Sequence, residues 1–223
     1  MGSESIAVSA AEGYALWAET WDATPSPIAA LEERMLLPWI ERLRPRRAFD
    51  IGCGTGRWTT RLRALGMDAS APMLSIAARK PGMAGRLAVA DATALPIASG
   101  SADLVLCTLT LGHIQDHCAA FRELARVLES GGTLLLTDFH PDALAGGWRH
   151  RIRHEGSVYE VEKYFYTLDQ LRAAAGATLA CRDVIEATIG EPERPLFDRA
   201  GRPELFEAAR ARPAVLLTRW QRL

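Results

Sequence analysis

The sequence is poor in cysteine, and the few cysteines it has are scattered. Only 4 of the 223 residues are cysteine, at Cys53, Cys107, Cys118 and Cys181, and they form no C-x-x-C pair. A disulfide framework or a structural zinc site needs cysteines in characteristic pairs. We therefore expect reduced thiols and no metal site.

The chain also lacks a strong net charge and long apolar segments. Its formal net charge is −1 at pH 7, which predicts no general attraction to nucleic acid or to an anionic membrane. No apolar run approaches the ~20 residues of a membrane span, and no basic segment followed by an apolar core resembles a signal peptide. We expect a cytoplasmic protein with neither nucleic acid nor a membrane as partner; its oligomeric state is left open.

What remains is the composition of an ordinary globular protein. Hydrophobic residues make up 48% and charged residues 24% of the chain, which are typical values. A chain of this length can bury one sizeable core, and no internal repeat or low-complexity linker divides it. We therefore interpret 1–223 as a single domain.

The most informative stretch is a glycine-rich turn in residues 48–56, which read A-F-D-I-G-C-G-T-G. The apolar residues predict the end of a buried strand, and helix-compatible residues follow from Arg57. Gly52, Gly54 and Gly56 lack a Cβ atom, as is needed where a ligand approaches the backbone or where φ is positive. Doubly wound α/β sheets bind nucleotide-like ligands at such a turn between a strand and a helix.

The charge beside this turn indicates which ligand it binds. A dinucleotide site has the pattern G-x-G-x-x-G, with a pyrophosphate at the helix N-terminus, whereas this chain has G-x-G-x-G followed by Arg57. Asp50 disfavours a pyrophosphate and suits a ligand with a cationic part. The stretch, with Cys53 between its first two glycines, resembles the first motif of class I S-adenosylmethionine (SAM)-dependent methyltransferases, whose ligand carries an ammonium and a sulfonium group.

Two further acidic residues extend this resemblance. The letters D-A-S-A-P-M-L, beginning with Asp68 and Ala69, resemble the family motif D-x-S-x-x-M-L. The resemblance implies that Asp68 accepts hydrogen bonds from both ribose hydroxyls of SAM. It also implies that Asp91 and Ala92, after a predicted third strand, bind the adenine. Together with Asp50, these acids are expected at the carboxyl ends of three successive strands, which is an active-site edge.

The spacing before Asp68 is unusual. Asp68 lies 14 residues beyond Gly54, whereas an acid that binds ribose is expected ~20 residues beyond the glycine turn. A predicted helix over 59–65 leaves almost no room for a strand. The alternatives are a short first helix, a vestigial second strand or a few missing residues.

The N-terminal region contains an aromatic segment. Residues 1–13 are expected to be loose, while residues 14–22 resemble a Y-x-x-x-A-x-x-Y-D segment that lies over the cofactor in small-molecule methyltransferases. Tyr14 is therefore expected at the cofactor; a hydrophobic helix packed on the sheet is an equal alternative. The predicted parts of the domain are N-terminal helices over the cofactor (1–45), a SAM-binding core (46–140), and a substrate cover with the final strands (141–223).

The predicted fold is a doubly wound α/β domain. The resemblance implies a mostly parallel, seven-stranded sheet that ends in an antiparallel strand. A predicted loop over 191–202 and a predicted short helix over 204–210 precede that strand. The resemblance is specific over residues 48–140 and only architectural elsewhere.

Two histidines at strand ends are candidate catalytic bases. The predicted fourth strand leads through Thr108, a candidate cofactor contact, to His113, which the resemblance places beside the transferred methyl group. The fifth strand delivers His140 to the same edge. Imidazole titrates near neutral pH, but a packing or hydrogen-bonding role is the alternative for each, and no metal constellation is present.

The sequence thus predicts an enzyme that transfers the methyl group of SAM to a small-molecule acceptor and leaves S-adenosylhomocysteine (SAH). A SAM-binding protein without turnover is one alternative, because binding and catalysis are separable. A nicotinamide-dependent oxidoreductase is a weaker one, which Asp50 and Arg57 disfavour. The acceptor atom is not indicated.

Overall fold

A computed structural model describes residues 5–223, and in that range the chain forms ten strands and nine α-helices. The strands are β1 (Ile6–Val8), β2 (Ala48–Ile51), β3 (Leu65–Asp68), β4 (Leu87–Val89), β5 (Ala102–Thr108), β6 (Leu128–Phe139), β7 (Arg151–His154), β8 (Ser157–Val161), β9 (Leu179–Thr188) and β10 (Pro213–Arg222). The helices are α1 (Ala10–Trp17), α2 (Pro27–Leu43), α3 (Arg57–Leu62), α4 (Ala71–Ala78), α5 (His117–Val127), α6 (Pro141–Ala145), α7 (Leu168–Ala175), α8 (Arg194–Arg199) and α9 (Phe206–Arg210). A 3₁₀ turn at Ala18–Ala23 continues α1.

Seven strands form the main sheet in the order β4-β3-β2-β5-β6-β10-β9. Strands β2 to β6 pair in parallel, whereas β10 is antiparallel to both β6 and β9. The predicted fold class is confirmed, including the antiparallel last strand.

Helices cover both faces of this sheet. The central strand β5 is buried on both sides: Val105 and Cys107 pack towards α5 and α7, while Leu104 and Leu106 pack towards α2 and α9. A strand that is apolar throughout is what a central parallel strand covered on both faces requires.

The second strand of the sheet is short but intact. β3 has only four residues, yet it pairs with β2 on one side and β4 on the other. The prediction of a helix through Leu65 is wrong: α3 ends at Leu62, since Arg63 has a left-handed φ of 53°. A short first helix is therefore the correct explanation of the narrow gap before Asp68.

The N-terminal residues are more ordered than the sequence predicts. β1 pairs in parallel with β8, which forms a hairpin with β7, and these three strands make a second sheet. Ser9 and Glu12 form a reciprocal capping box at the start of α1. The prediction that 1–13 is loose is wrong for residues 6–13, and residues 1–4 lie outside the described range.

Three other expectations can be compared with the structure. The predicted loop over 191–202 is wrong because it contains α8, and the buried Glu193 there pairs with Arg34 of α2. Within residues 5–223, no helix is both long and apolar enough to cross a membrane. All four cysteines are free thiols, as expected.

Candidate active site

The glycine turn has the backbone geometry that its sequence predicts. Gly52, Gly54 and Gly56 have φ values of 73°, 54° and 83°. A Cβ atom on Gly52 would overlap the side chain of Thr110, whereas the nearest atom to one on Gly54 is a methionine methyl at 3.3 Å. Neighbouring protein atoms thus leave no room for a side chain at Gly52, whereas there is more space beside Gly54. Cys53 between them is buried, and burial raises the pKa of its thiol.

Asp50 is buried beneath this turn. Its Oδ2 accepts a hydrogen bond from the Thr59 hydroxyl at 2.6 Å, while its Oδ1 is buried and has no hydrogen-bond partner within residues 5–223. Burial raises the pKa of Asp50 to about 6, and the bond from Thr59 offsets part of that rise. An unpartnered buried carboxylate oxygen suits a cationic hydrogen-bond donor.

Asp68, at the end of β3, braces the turn from the next strand. Its Oδ2 accepts from the Gly54 amide at 2.7 Å, and its Oδ1 accepts from the Ser70 amide at 2.8 Å. Burial raises the pKa of this carboxyl group. Each oxygen keeps a second lone pair that a ribose hydroxyl can use. Ala69 beside it is exposed.

Asp91 follows β4 and is exposed. Its Oδ1 accepts from both the amide and the hydroxyl of Thr93, each at 2.8 Å, so the residue caps its own loop. Within residues 5–223, its Oδ2 accepts no hydrogen bond from the protein. Ala92 is half-buried next to it. Because β2, β3 and β4 are neighbours, the sheet brings all three predicted acids to one edge.

Tyr14 of α1 lies against His113. The Tyr14 hydroxyl is 2.9 Å from Nε2 of His113, and Nδ1 of His113 is 3.0 Å from the carbonyl oxygen of Glu162. A carbonyl only accepts, so Nδ1 carries the proton and Nε2 accepts from Tyr14. Burial, with a smaller effect of Lys163, lowers the pKa of His113 to about 3.

A buried ion pair adjoins this contact. Nζ of Lys163 is 2.8 Å from Oδ1 of Asp138 and 3.5 Å from Nε2 of His113, and only 3% of the lysine side chain is exposed. Asp138 also accepts from the Gly112 amide at 2.6 Å. Neither Lys163 nor Asp138 is among the residues predicted from the sequence. Asp138 could have been predicted as a site residue, because it lies near the end of the fifth predicted strand as Asp50 lies near the end of the first.

The structure does not bring His140 into this group. His140 is buried; its Nδ1 accepts from the Asp142 amide at 3.1 Å and caps α6, and its Nε2 faces Glu186 at 3.5 Å. These contacts match the hydrogen-bonding alternative for His140. Thr108 is buried at the end of β5, where its carbonyl accepts from Thr110.

Aromatic rings from α1, from the 3₁₀ turn that follows it and from His150 pack around the Tyr14–His113 contact. Trp17 and Trp21 pack on Tyr14, and His150 packs on Tyr14, Trp17 and His113. The predicted substrate cover within 141–223 therefore contributes the imidazole of His150, whose two ring nitrogens are buried. Across residues 5–223, no cluster of three or more His, Cys, Asp or Glu side chains could hold a metal ion.

Comparison with known sequences identifies relatives of this chain. A family model described as a methyltransferase domain matches residues 49–136. An O-methyltransferase from Pyrenophora dematioidea is 33% identical over 190 residues, which cover 74% of this chain and 68% of that protein. A malonyl-[acyl-carrier protein] O-methyltransferase from Legionella pneumophila is 36% identical over 110 residues, 45% of this chain but only 39% of that protein. That match therefore spans about two fifths of the relative's length.

Comparison with solved structures shows the same fold. The crystal structure of a SAM-dependent methyltransferase from Mesorhizobium loti superposes with a TM-score of 0.67 at 23% identity. The superposition covers 88% of this chain and 100% of that one.

Proposed function

Because the chain belongs to the methyltransferase domain family, we propose that it is a SAM-dependent enzyme that methylates a small-molecule acceptor. The observation that carries this proposal is the edge formed by Asp50, Asp68 and Asp91 at the ends of three neighbouring strands. The unpartnered Oδ1 of Asp50 adds a place for a cation.

The residues at this edge fit the parts of SAM. Asp50 would receive the ammonium group, Asp68 the two ribose hydroxyls, and Asp91 with the Ala92 backbone the adenine. Charge-assisted hydrogen bonds of this kind are about twice as strong as neutral ones. The remaining proposed contacts are Tyr14, Gly52, Cys53, Gly54, Gly56, Ala69 and Thr108.

The work of the protein is then to orient the reactants and to exclude water. SAM supplies an activated methyl group on a sulfonium, so the barrier falls chiefly through positioning in a dry pocket. The contact of Tyr14 with His113 closes α1 over the site. We assign His113 to holding Tyr14 and His140 to capping α6, because the ring nitrogens of both histidines already have neighbours.

Thermal unfolding with added ligands tests the cofactor. SAM and SAH should raise the melting temperature by mass action, by ~2.7 kcal/mol at 100 times Kd, or roughly 5–10 °C for a chain of this size. NAD should produce no shift. A shift with NAD and none with SAM or SAH would contradict the proposal. Transfer of label from SAM to a metabolite extract then separates an enzyme from a SAM-binding protein without turnover.

A pair of variants separates adenine binding from loop capping at Asp91. Asp91→Ala should weaken SAH binding by about 1.5–3 kcal/mol in calorimetry, through loss of a bond to a charged group. Thr93→Ala removes one capping hydroxyl and keeps the carboxylate, so its affinity for SAH should stay close to that of wild type. Equal losses in the two variants would show that Asp91 acts only on its loop.

A further inference from the structure

Lys163 is a buried cation of the predicted substrate cover. Only 3% of its side chain is exposed, and its ammonium lies 2.8 Å from Oδ1 of Asp138 and 3.5 Å from Nε2 of His113. Lysine is almost never buried to this extent unless its charge is paired. The proposed contacts to SAM assign no role to the ion pair of Lys163 and Asp138.

The backbone around Lys163 is fixed on the loop that follows β5. The amide of Tyr164 donates to the carbonyl oxygen of Gly112 at 2.6 Å, and Nδ1 of His113 donates to the carbonyl oxygen of Glu162 at 3.0 Å. A Cβ atom on Gly112 would lie 2.6 Å from Nζ of Lys163. The ammonium is therefore held in one place by packing and by backbone hydrogen bonds on both sides of it in the chain.

Asp138, its partner, is held as firmly and in its charged form. Its Oδ2 accepts from the Gly112 amide at 2.6 Å, and its Oδ1 accepts from the Phe139 amide at 2.7 Å. Hydrogen bonds donated to a carboxylate favour the ionised state. Without the ammonium of Lys163, Asp138 would thus place an uncompensated negative charge at this edge of the sheet.

The ion pair lies close to the proposed cofactor site. β6 is the neighbour of β5, and β5 is the neighbour of β2, which carries Asp50; two strand spacings, about 10 Å, therefore separate Asp138 from Asp50 across the sheet. Burial raises the pKa of Tyr14, and Asp138 and then Asp68 raise it further, so this tyrosine lies near both carboxylates. The sulfonium of SAM joins the part assigned to Asp50 to the ribose assigned to Asp68, which places it within range of the charges of the pair.

We propose that Lys163 is a specificity-determining residue, which neutralises Asp138 and thereby limits the preference of the site for the charged SAM over its product SAH. This inference rests on the proposed function and concerns the electrostatics of the same site. Asp50 and Asp68 already supply negative charge for the two cationic groups of SAM. A third carboxylate without a counterion would stabilise the sulfonium beyond what binding requires.

The charge on sulfur disappears during the reaction, so this balance also affects the rate. A lone pair of the acceptor atom forms the new bond to the methyl carbon, and the carbon–sulfur bond breaks with its electron pair remaining on sulfur. Sulfur becomes a neutral thioether, and its charge passes with the methyl group to the acceptor. An interaction that is stronger with the reactant than with the transition state slows the step. By cancelling the charge of Asp138, Lys163 removes such an interaction.

Calorimetry with SAM and with SAH at pH 7 tests this role without knowledge of the acceptor. Lys163→Gln keeps a hydrogen-bond donor for Asp138 but removes the charge, so SAM should gain about tenfold in affinity relative to SAH. Asp138→Asn leaves the ammonium uncompensated, so the same ratio should shift about tenfold in the opposite direction. The double variant Lys163→Gln/Asp138→Asn should return to the wild-type ratio. Arg151→Gln is the control, because it removes an exposed cation of the same cover and should leave the ratio unchanged.

The opposite signs separate an electrostatic role from a structural one, because a loosened cover would weaken both ligands in both single variants. Either single variant tests its own predicted direction if melting curves show that the other fails to fold. If wild type binds neither SAM nor SAH, the proposed cofactor is wrong and the inference fails with it. If wild type binds both, but the ratio stays constant or moves in the same direction in the two single variants, the role of Lys163 is refuted and the cofactor proposal stands.

Discussion

The carboxyl group of Asp50 titrates near pH 6 because burial outweighs the hydrogen bond from Thr59. An unfolded aspartate titrates near ~3.9, so the folded chain takes up a proton as the pH falls from about 6 towards ~4. The contribution of Asp50 to the stability of the unliganded chain is then present below ~4 and is lost as the pH rises through 6. An ammonium ligand on Oδ1 needs the charged form and competes with that proton.

Binding of SAH should therefore weaken as the pH falls through 6. An α-amino group titrates near ~7.7, so SAH stays charged below about pH 6.5, and between pH 6.5 and 5 the change belongs to the protein. We expect the affinity to fall by up to about tenfold per pH unit below 6, with proton release in calorimetry. Asp50→Asn should bind more weakly and without this pH dependence. An affinity for wild type that is constant over this range would contradict the ammonium contact.

At the scale of residues, the sequence predicts where a side chain lies in the sheet better than it predicts which side chains contact it. Asp50, Asp68 and Asp91 follow apolar runs, and parallel strands bring such positions to one edge. The burial of His150 could not be predicted, because it follows from rings contributed by α1 and by Phe139, distant in sequence. Its sequence neighbours Arg149, Arg151 and Arg153 instead favour a solvated basic strip.

The N-terminal cover, residues 5–23, contacts both the second sheet and the glycine turn. Its β1 pairs with β8, and its Asp22 accepts from the Thr55 hydroxyl of the glycine turn at 2.6 Å. Gly13 of α1 packs directly on Val161: a Cβ atom there would lie 2.6 Å from a methyl group of the valine. The helix approaches β8 this closely only because Gly13 has no side chain.

Gly13→Ala should loosen the N-terminal cover, although alanine is the better helix former by about 1 kcal/mol. Overpacking against the stiff valine costs about 1–3 kcal/mol. We expect faster hydrogen exchange in α1 and weaker SAH binding. The double variant Gly13→Ala/Val161→Ala should recover part of both, as coupled neighbours do. Protection of α1 unchanged by Gly13→Ala would show that this contact does not hold the cover.

The elements around Asp68 show why the spacing was hard to interpret. α3 ends after six residues at Arg63, in a left-handed conformation that non-glycine residues uncommonly adopt. No glycine or proline follows Leu62 directly, so the helix predicted from the sequence ran on into the first residue of β3. By contrast, Ser9 and Glu12 form a capping box whose spacing is visible in the sequence. With β3 intact and its carboxylate accepting from two backbone amides, Asp68 is fixed at a strand end rather than on a mobile loop.

At the scale of the molecule, the main sheet was predicted from the glycine turn and from the resemblance of residues 48–140 to class I methyltransferases, and right-handed crossovers leave few other arrangements. The second sheet of β1, β7 and β8 was not predicted, because its strands are only three to five residues long. Such short strands are stabilised by their neighbours rather than by their own pattern. The extent of the single domain remains a prediction.

A buried carboxylate joins three elements of the fold, α2, α3 and β6. Glu32 of α2 has no exposed surface; it accepts from Arg57 at 2.6 Å, from the Trp58 indole at 3.3 Å and from the Thr137 hydroxyl of β6 at 3.2 Å. Burial raises the pKa of Glu32, and the bond to Arg57 opposes that rise. The contact links α2 and the sheet to the start of α3, directly after the glycine turn.

Glu32→Ala should therefore destabilise the whole molecule. Two buried donors lose their acceptor, at about 1–3 kcal/mol each, while Arg57, about a third exposed, recovers hydration. We expect a loss of about 2–4 kcal/mol in urea unfolding, or roughly 5–15 °C in melting temperature. Glu33→Ala is the matched control, because its pair with Arg61 is exposed and such pairs contribute less than about 1 kcal/mol. Equal losses in the two variants would show that the buried contacts of Glu32 stabilise the fold no more than an exposed ion pair does. The glycine turn would then be held in place by the strands beside it rather than by Glu32.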